Sequence, residues 1–244
     1  MQKNAGPREV HPKAGAPHDD DAFIVSAWLT RLPFDWTDLT GGPGSRDRPL
    51  AKDAILFLEG QSADTVYVIV DGRIRLTSYS FDGKERHLMI LGANGLVGDC
   101  GLLSGPSYVV SAVAASDAVV RAVPVARLNA ALDQHPKLRA QQQALAGMRF
   151  RIMLRHLGLQ GANLSRRRVC LHLGDLVHSY GIAHDDGRLI SIAFTQQEMG
   201  SICGLSRVSV SHTFSQLERD GVITRAGRLV VVRDMERLAL LSRS

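Results

Sequence analysis

The feature that most limits what this 244-residue chain can fold into is a single change of hydrophobic period. From Ala54 to Val123 the apolar residues come in short, β-branched runs cut by turn residues: ILFLEG, VYVIVDG, IRLTSYSFDG, RHLMILGANG, YVVSAVAASD and AVVRAV. Runs of this length and composition predict strands. Asp71-Gly72 and Asp82-Gly83 read as hairpin turns, because both residue types tolerate positive φ. Such strands must close into a barrel or a two-sheet roll to remove their open edges. Past Pro124 the period becomes helical, and from Pro136 to Leu159 only Gly147 and Gly158 interrupt it. The pattern therefore predicts an α+β protein: a β roll, a long helix and a further region rich in helix.

Boundaries follow from composition. Residues 1–21 contain Pro7, Pro12 and Pro17 with almost nothing apolar, so they cannot repay the entropy of ordering and read as a flexible tail. Asp20 or Asp21 would cap a short helix through Phe23, Ile24, Ala27, Trp28 and Leu32, which Pro33 ends. The roll is assigned to 22–133, the long helix to 134–160 and the last region to 161–244. In the long helix Leu138, Leu145, Ile152 and Leu159 recur every seven residues, with Met148 at the complementary position. The polar remainder leaves only this narrow stripe to bury, which points to a seam against a partner helix.

The 29 Lys and Arg against 24 Asp and Glu give a formal charge of +5, and its location matters more than its size. No acidic residue occurs between Gln134 and Gly174, a stretch that holds Lys137, Arg139, Arg149, Arg151, Arg155 and Arg166 to Arg168. A solvated face, an anionic effector near the arginines and phosphate contacts from the Arg166–Arg168 cluster all fit this run. Cys100, Cys170 and Cys203 are odd in number and widely spaced, which suits neither a disulfide framework nor a clustered metal site and fits a reducing cytoplasm. No apolar run approaches the roughly 18 residues of a membrane span, and the N-terminus lacks a signal-peptide core, so a cytoplasmic protein without membrane contact is expected. An enzymatic roll of the cupin kind would need clustered metal ligands, and the β region has only His87. No nucleophile–base pair or phosphate-cradling loop is evident, so neither catalytic residues nor a metal site is expected.

The most informative segment runs from Phe194 to Val232, FTQQEMGSICGLSRVSVSHTFSQLERDGVITRAGRLVVV. Thr195 with Glu198 makes a capping box for a short helix through Met199, Ile202 and Cys203. Gly204 permits a sharp turn, Ser206 caps a second helix, and Val210, Phe214 and Leu217 form its buried stripe. Arg207, Val208, Ser211, His212 and Ser215 then face solvent from the opposite side, where a recognition helix presents base-reading groups. Ile223-Thr224 and Leu229–Val232 flank Ala226-Gly227 as the small hairpin of a wing. Helix, turn, helix and wing in this order is far more specific than any one of them.

These residues resemble the cyclic-AMP receptor protein/FNR (CRP/FNR) family of transcription regulators. TQQEMGSICGLSRVSVSHTFSQLERDGVI is similar to its helix-turn-helix signature, and EGQSADTVYVIVDGRIRL with GLVGDCGLL is similar to its jelly-roll sensor. The resemblance extends from about Phe23 onward. It implies a jelly-roll sensor domain, a dimerisation helix and a C-terminal winged helix-turn-helix, acting as a homodimer on a palindromic duplex. Carried across, Arg207 matches the base-reading arginine that bonds guanine bidentately, while Thr195, Gln196, Ser206, Ser209 and Ser211 fall at the DNA surface. Val208 departs from a usual glutamate and His212 from a usual arginine, so the preferred operator should differ from the best-known family sites. The family's contact loop for RNA polymerase corresponds here to Ala183–Gly187 (AHDDG).

The resemblance also locates an effector pocket among Gly98, Asp99, Ser107, Tyr108 and Ser111, with Arg149 or Arg155 from the helix nearby. Cyclic-nucleotide-binding members clamp the cyclic phosphate with an Arg-Ser or Arg-Thr pair, and here Val109 and Val110 stand in place of that arginine. Burying a phosphate without a cation is expensive, so cyclic AMP is not expected unless an arginine of the long helix takes over. Three scattered cysteines do not supply the four ligands of an FNR-type iron–sulfur cluster. Haem on His87 or another histidine, a redox-sensitive Cys100, and a regulator needing no small effector stay open.

Overall fold

The computed structural model describes residues 26–41, 45–79, 85–100, 105–158 and 165–243. The β region forms two facing sheets. One has the order β1 (Trp28–Arg31), β6 (Glu85–Ala93), β5 (Ile74–Tyr79), β8 (Ser111–Ala114), β3 (Ile55–Phe57); the other runs β2 (Arg46–Leu50), β9 (Ala118–Pro124), β4 (Thr65–Asp71), β7 (Leu96–Val97). Residues of both sheets, among them Val66, Ile69, Ile74, Ile90, Leu91 and Val120, are fully buried. This is the expected roll: each sheet buries one face and the sandwich supplies the core.

Two local readings change. Trp28–Arg31 is a strand, not part of a helix, and pairs in parallel with β6 through Trp28↔Ile90 and Leu29↔Leu91. The open edge of β6 offers this segment backbone partners that its own helical periodicity cannot match; Phe23 and Ile24 lie outside the described residues. Asp71-Gly72 is also not a hairpin turn, because β4 and β5 belong to different sheets. It is a crossover in which Gly72, at φ 77°, passes so close to the β8–β9 turn that a Cβ would sit 2.2 Å from the Asp117 carbonyl oxygen. β5 and β6 do pair antiparallel, Tyr79 opposite Glu85; Asp82-Gly83 lies outside the described residues.

Among the described residues, the helices ahead of the C-terminal region are α1 (Thr37–Thr40), between β1 and β2, then α2 (Val125–Gln134) and the long α3 (Pro136–Gly158) after the roll. Then come α4 (Ser165–Tyr180), the hairpin β10 (Gly181–His184) and β11 (Gly187–Ile190), α5 (Gln196–Cys203), α6 (Arg207–Arg219), the hairpin β12 (Ile223–Ala226) and β13 (Leu229–Val232), and α7 (Met235–Arg243). The two hairpins join into one sheet, β10-β11-β13-β12.

The C-terminal region docks on the roll through β1. Tyr180 donates its hydroxyl to the Trp28 carbonyl at 2.6 Å and accepts from the Thr30 N–H at 3.0 Å. The Trp28 ring meets His172 edge-on at 5.7 Å and Phe194 at 6.1 Å, and Arg73 of the roll donates to the Ala193 carbonyl.

The long helix carries two apolar stripes, and the sequence reading chose the inner one as the dimer seam. Leu138, Leu145 and Ile152 are each 1% exposed or less within the single chain. They have no surface left for a partner, and Met148 is half-buried against the same core. Leu159 lies outside the described residues. The outer stripe is Ala140, Gln143, Gly147, Phe150, Leu154 and Leu157, all exposed, with Phe150 at 63% and Leu157 at 65%. Its alternating steps of three and four residues are those of a two-helix seam.

Candidate nucleic-acid interface and effector pocket

The helix-turn-helix is built from local chemistry. The Thr195 hydroxyl accepts from the Glu198 N–H at 3.0 Å while the Glu198 carboxylate accepts from the Thr195 N–H at 2.7 Å, closing the capping box that opens α5. Gly204 ends α5 in the left-handed region at φ 66°, which turns the chain by the angle the motif requires. Ser206 caps α6 by accepting from the Ser209 N–H at 3.1 Å. Val210, Phe214 and Leu217 are buried, as their spacing predicts.

The opposite face of α6 is bare. Arg207, Val208, His212 and Ser215 are exposed, with Val208 at 77%, and Ser209 and Ser211 are partly so. An apolar side chain held this far out on a first helical turn has no intramolecular role. Thr195 is exposed and Gln196 partly so beside the same turn. The structure thus brings all eight residues assigned to DNA onto one surface. The wing hairpin runs beside it, pinned to α6 where Arg225 bonds Glu218 at 2.8 Å, and carries the exposed Arg228 at its tip.

The effector residues are brought together only in part. Gly98, Asp99, Tyr108 and Arg149 surround a cavity of about 10 Å³, no larger than a water molecule needs. Arg149 enters from α3 and donates from Nη1 to both carboxylate oxygens of Asp99, at 2.7 and 2.9 Å, and from Nη2 to the Leu96 carbonyl. The same Nη1 lies 3.3 Å from the Cys100 sulfur. Asp99 and Arg149 are 1% and 5% exposed. The rest of the space is closed by Phe57, whose ring stacks on Tyr108 at 3.8 Å, and by the Tyr108 hydroxyl, which donates to the Thr65 carbonyl. Burial pushes the Cys100 thiol above its usual range, against the pull of Arg149. Ser111 is spent accepting from the Glu59 N–H, and Ser107 sits in an isolated bridge to Ser62. Arg155 is not in this group: it pairs with Asp175 of α4 at 2.9 Å, about one and two-thirds turns further along α3.

Several arginines of the acid-free stretch have partners within the chain. Arg139 pairs with Asp133, Arg166 with Asp220, Arg168 donates to the Cys203 carbonyl and Arg167 to the Ser242 carbonyl. Lys137, Arg139 and Arg151 of the same run are exposed.

A cyclic nucleotide-binding domain model matches residues 47–135, and a Crp-like helix-turn-helix domain model matches residues 167–241. The chain belongs to the CRP/FNR family of transcription regulators. Like them, this CRP/FNR regulator couples a β sensor domain to a DNA-binding helix-turn-helix. It is 29% identical over 235 residues to the nitrogen fixation regulation protein FixK of Azorhizobium caulinodans, covering 95% of this chain and 92% of that one. It is 28% identical over 193 residues to the anaerobic regulatory protein of Bacillus subtilis, 77% of this chain and 80% of that one. Among solved structures, FixK2 from Bradyrhizobium japonicum superposes with a TM-score of 0.69 at 25% identity, over 81% of this chain and 96% of that one. A CooA mutant from Carboxydothermus hydrogenoformans shares the fold, with a TM-score of 0.76 at 17% identity, over 88% and 100% of the two chains. No helix among the described residues is long and apolar enough to cross a membrane.

Sequence reasoning missed the outer stripe of α3 and the helix α7, whose apolar residues Leu238 and Leu241 pack onto the C-terminal core. The signal for the stripe was present, since Phe150, Leu154 and Leu157 keep heptad spacing, but the inner stripe kept it too.

Proposed function

We propose that two copies of this chain pair along the outer stripe of α3 and dock as a homodimer on a palindromic duplex. The sensor is read as residues 22–133, the dimerisation helix as 134–160 and the DNA-binding unit as 161–244. In this reading Arg207 bonds guanine O6 and N7, Val208 contacts a thymine methyl, and His212 donates to a base or phosphate. Thr195, Gln196, Ser206, Ser209 and Ser211 hold the phosphates that set register. The observation that carries the reading is the bare face of α6, where Ser206 fixes the helix start and leaves Arg207 and Val208 exposed. The protein acts by binding and not by catalysis, and from the cytoplasm.

The sensor is not controlled by cyclic AMP in its roll. The Asp99–Arg149 pair and the Phe57–Tyr108 stack occupy the space that a nucleotide would need, and the arginine that would replace the missing clamp is neutralised by Asp99. The exposed turn between β10 and β11, Ala183–Gly187, is the surface offered to RNA polymerase. Changing His184 and Asp185 should lower transcription activation while leaving DNA binding unchanged.

Fluorescence anisotropy with a selected operator tests the interface. Arg207→Ala should weaken operator binding by about 1–3 kcal/mol, roughly fivefold to 150-fold, with little change in binding to unrelated duplex. An equal loss on both duplexes would reduce Arg207 to a phosphate contact and defeat the assignment of α6 as the reading helix.

A further inference from the structure

The face of α6 assigned to DNA does not stop at Ser215. One surface groove runs along it from Arg207 and Val208, past His212 and Ser215, to Arg219 in the last turn. The helical repeat explains the alignment. Arg219 follows Val208 by 11 residues, and three turns of an α-helix take about 10.8, so the two side chains leave the helix within about 20° of each other. At about 1.5 Å per residue, Arg219 stands about 16–17 Å further along the axis.

Three observations give Arg219 a partner outside the chain. First, it is exposed, and its side chain makes no ion pair with any described residue. Second, the two acids beside it are engaged elsewhere: Arg225 of the wing holds Glu218 at 2.8 Å, and Arg166 of α4 holds Asp220. Third, the C-terminal end of a helix carries partial negative charge, which repels a phosphate unless a cation stands there, and Arg219 is the basic residue of that turn. The position of that end decides what the cation meets. A recognition helix puts its N-terminal residues on base edges. The major groove is about 12 Å wide, less than the distance from Val208 to Arg219. With Val208 on the bases, the far end of this straight helix therefore lies at the phosphate wall and not over further bases.

We infer that Arg219 is a phosphate contact, which anchors α6 from the end opposite the bases it reads and carries no sequence preference of its own. The inference rests on α6 as the reading helix and adds to it a residue that acts on affinity and register alone.

Fluorescence anisotropy of the full-length protein and of Arg219→Gln, Arg207→Ala and Arg48→Gln, on a selected operator and on an unrelated duplex between about 50 and about 200 mM salt, tests it. Arg219→Gln should weaken binding to both duplexes by a similar factor. Each neutralised phosphate contributes about 0.9 to the slope of log affinity against log salt, so two chains on one duplex should lose about 1.8. Over that fourfold range of salt the advantage of the native protein should shrink about twelvefold. Arg48→Gln removes the same charge from an exposed position on β2 and should keep the native slope. A native slope in Arg219→Gln, or an equal fall in Arg48→Gln, would overturn the inference. Weaker binding at an unchanged slope would do so too, by confining Arg219 to the helix dipole. Should Arg207→Ala weaken both duplexes equally, the reading of α6 fails by itself, and the slope of Arg219→Gln still decides the phosphate contact, which is made on any duplex. A native chain that binds neither duplex would overturn both.

Discussion

Replacing Arg149 by methionine keeps an unbranched apolar stem, removes the guanidinium and its charge, and so tests what the Asp99–Arg149 pair contributes. In the native chain the Asp99 carboxylate is 1% exposed and receives both of its close bonds from Arg149, while the Leu96 carbonyl takes a third. Removing one partner of such a pair costs about 3–5 kcal/mol, because the remaining charge has neither solvent nor counter-ion. The chain has an escape, which is to protonate the stranded carboxyl. Neutralising an ordinary aspartate, with a reference pKa near 3.9, costs about 4 kcal/mol at pH 7 and about 1.5 kcal/mol at pH 5. The loss at pH 7 is therefore capped near 4 kcal/mol and should shrink by about 2–3 kcal/mol at pH 5. Replacing both residues together, Asp99→Leu with Arg149→Met, should recover most of the stability, since an apolar pair leaves nothing unpaired. Urea denaturation of the three proteins at the two pH values, at fixed protein concentration, measures all of this. A loss below about 1 kcal/mol at pH 7, or one that does not change with pH, would refute the reasoning that the roll's cavity is closed by a buried charge pair.

The outer stripe of α3 predicts that Leu154→Glu converts the dimer to monomer in sedimentation equilibrium, whereas Leu145→Ala, on the inner stripe, destabilises the fold by about 2–5 kcal/mol. An unchanged mass for Leu154→Glu would remove this stripe from the interface. Acid stability should depend on His172, whose pKa burial pushes down to about 3. Its neutral form favours the fold, so its contribution is complete above about 6.5 and is lost as pH falls toward 3, about 2 kcal/mol of it by pH 5. Asp175, pushed up to about 6 by burial, works the other way: its contribution is complete below about 3.8 and fades as pH rises through 6, which masks part of the effect in the native chain. The difference in unfolding free energy between His172→Gln and the native chain should therefore move by about 2 kcal/mol in favour of the variant from pH 7 to pH 5. A pH-independent difference would contradict the assignment.

The DNA-binding motif was legible because its determinants are local. Thr195 meets Glu198, Ser206 meets Ser209, and Gly204 needs only its own freedom at φ 66°. The roll was legible as a class for the same reason, since period-two runs need no partner to be recognised. What failed depended on distant residues. Whether Asp71-Gly72 turns back or crosses over is decided by Asp117 and Ala118, against which Gly72 packs. Trp28–Arg31 became a strand because β6 offered it an edge. The two stripes of α3 have the same spacing, and the choice between them is made by the roll, which takes in Leu138, Leu145 and Ile152 together with Arg149 for Asp99. The effector residues divided similarly: Arg149 found its acid in the roll and Arg155 found another in α4.

The central claim is that a dimer of this chain reads a palindrome through α6. Selection of the purified protein against a randomised duplex pool, at a stated salt concentration, tests it most directly. The account predicts enrichment of an inverted repeat whose half-site centres lie about one helical turn apart, roughly 10–10.5 base pairs, and loss of binding when about 5 base pairs are inserted between them. Enrichment of a single unrepeated site, or salt-sensitive binding with no enriched sequence, would contradict it.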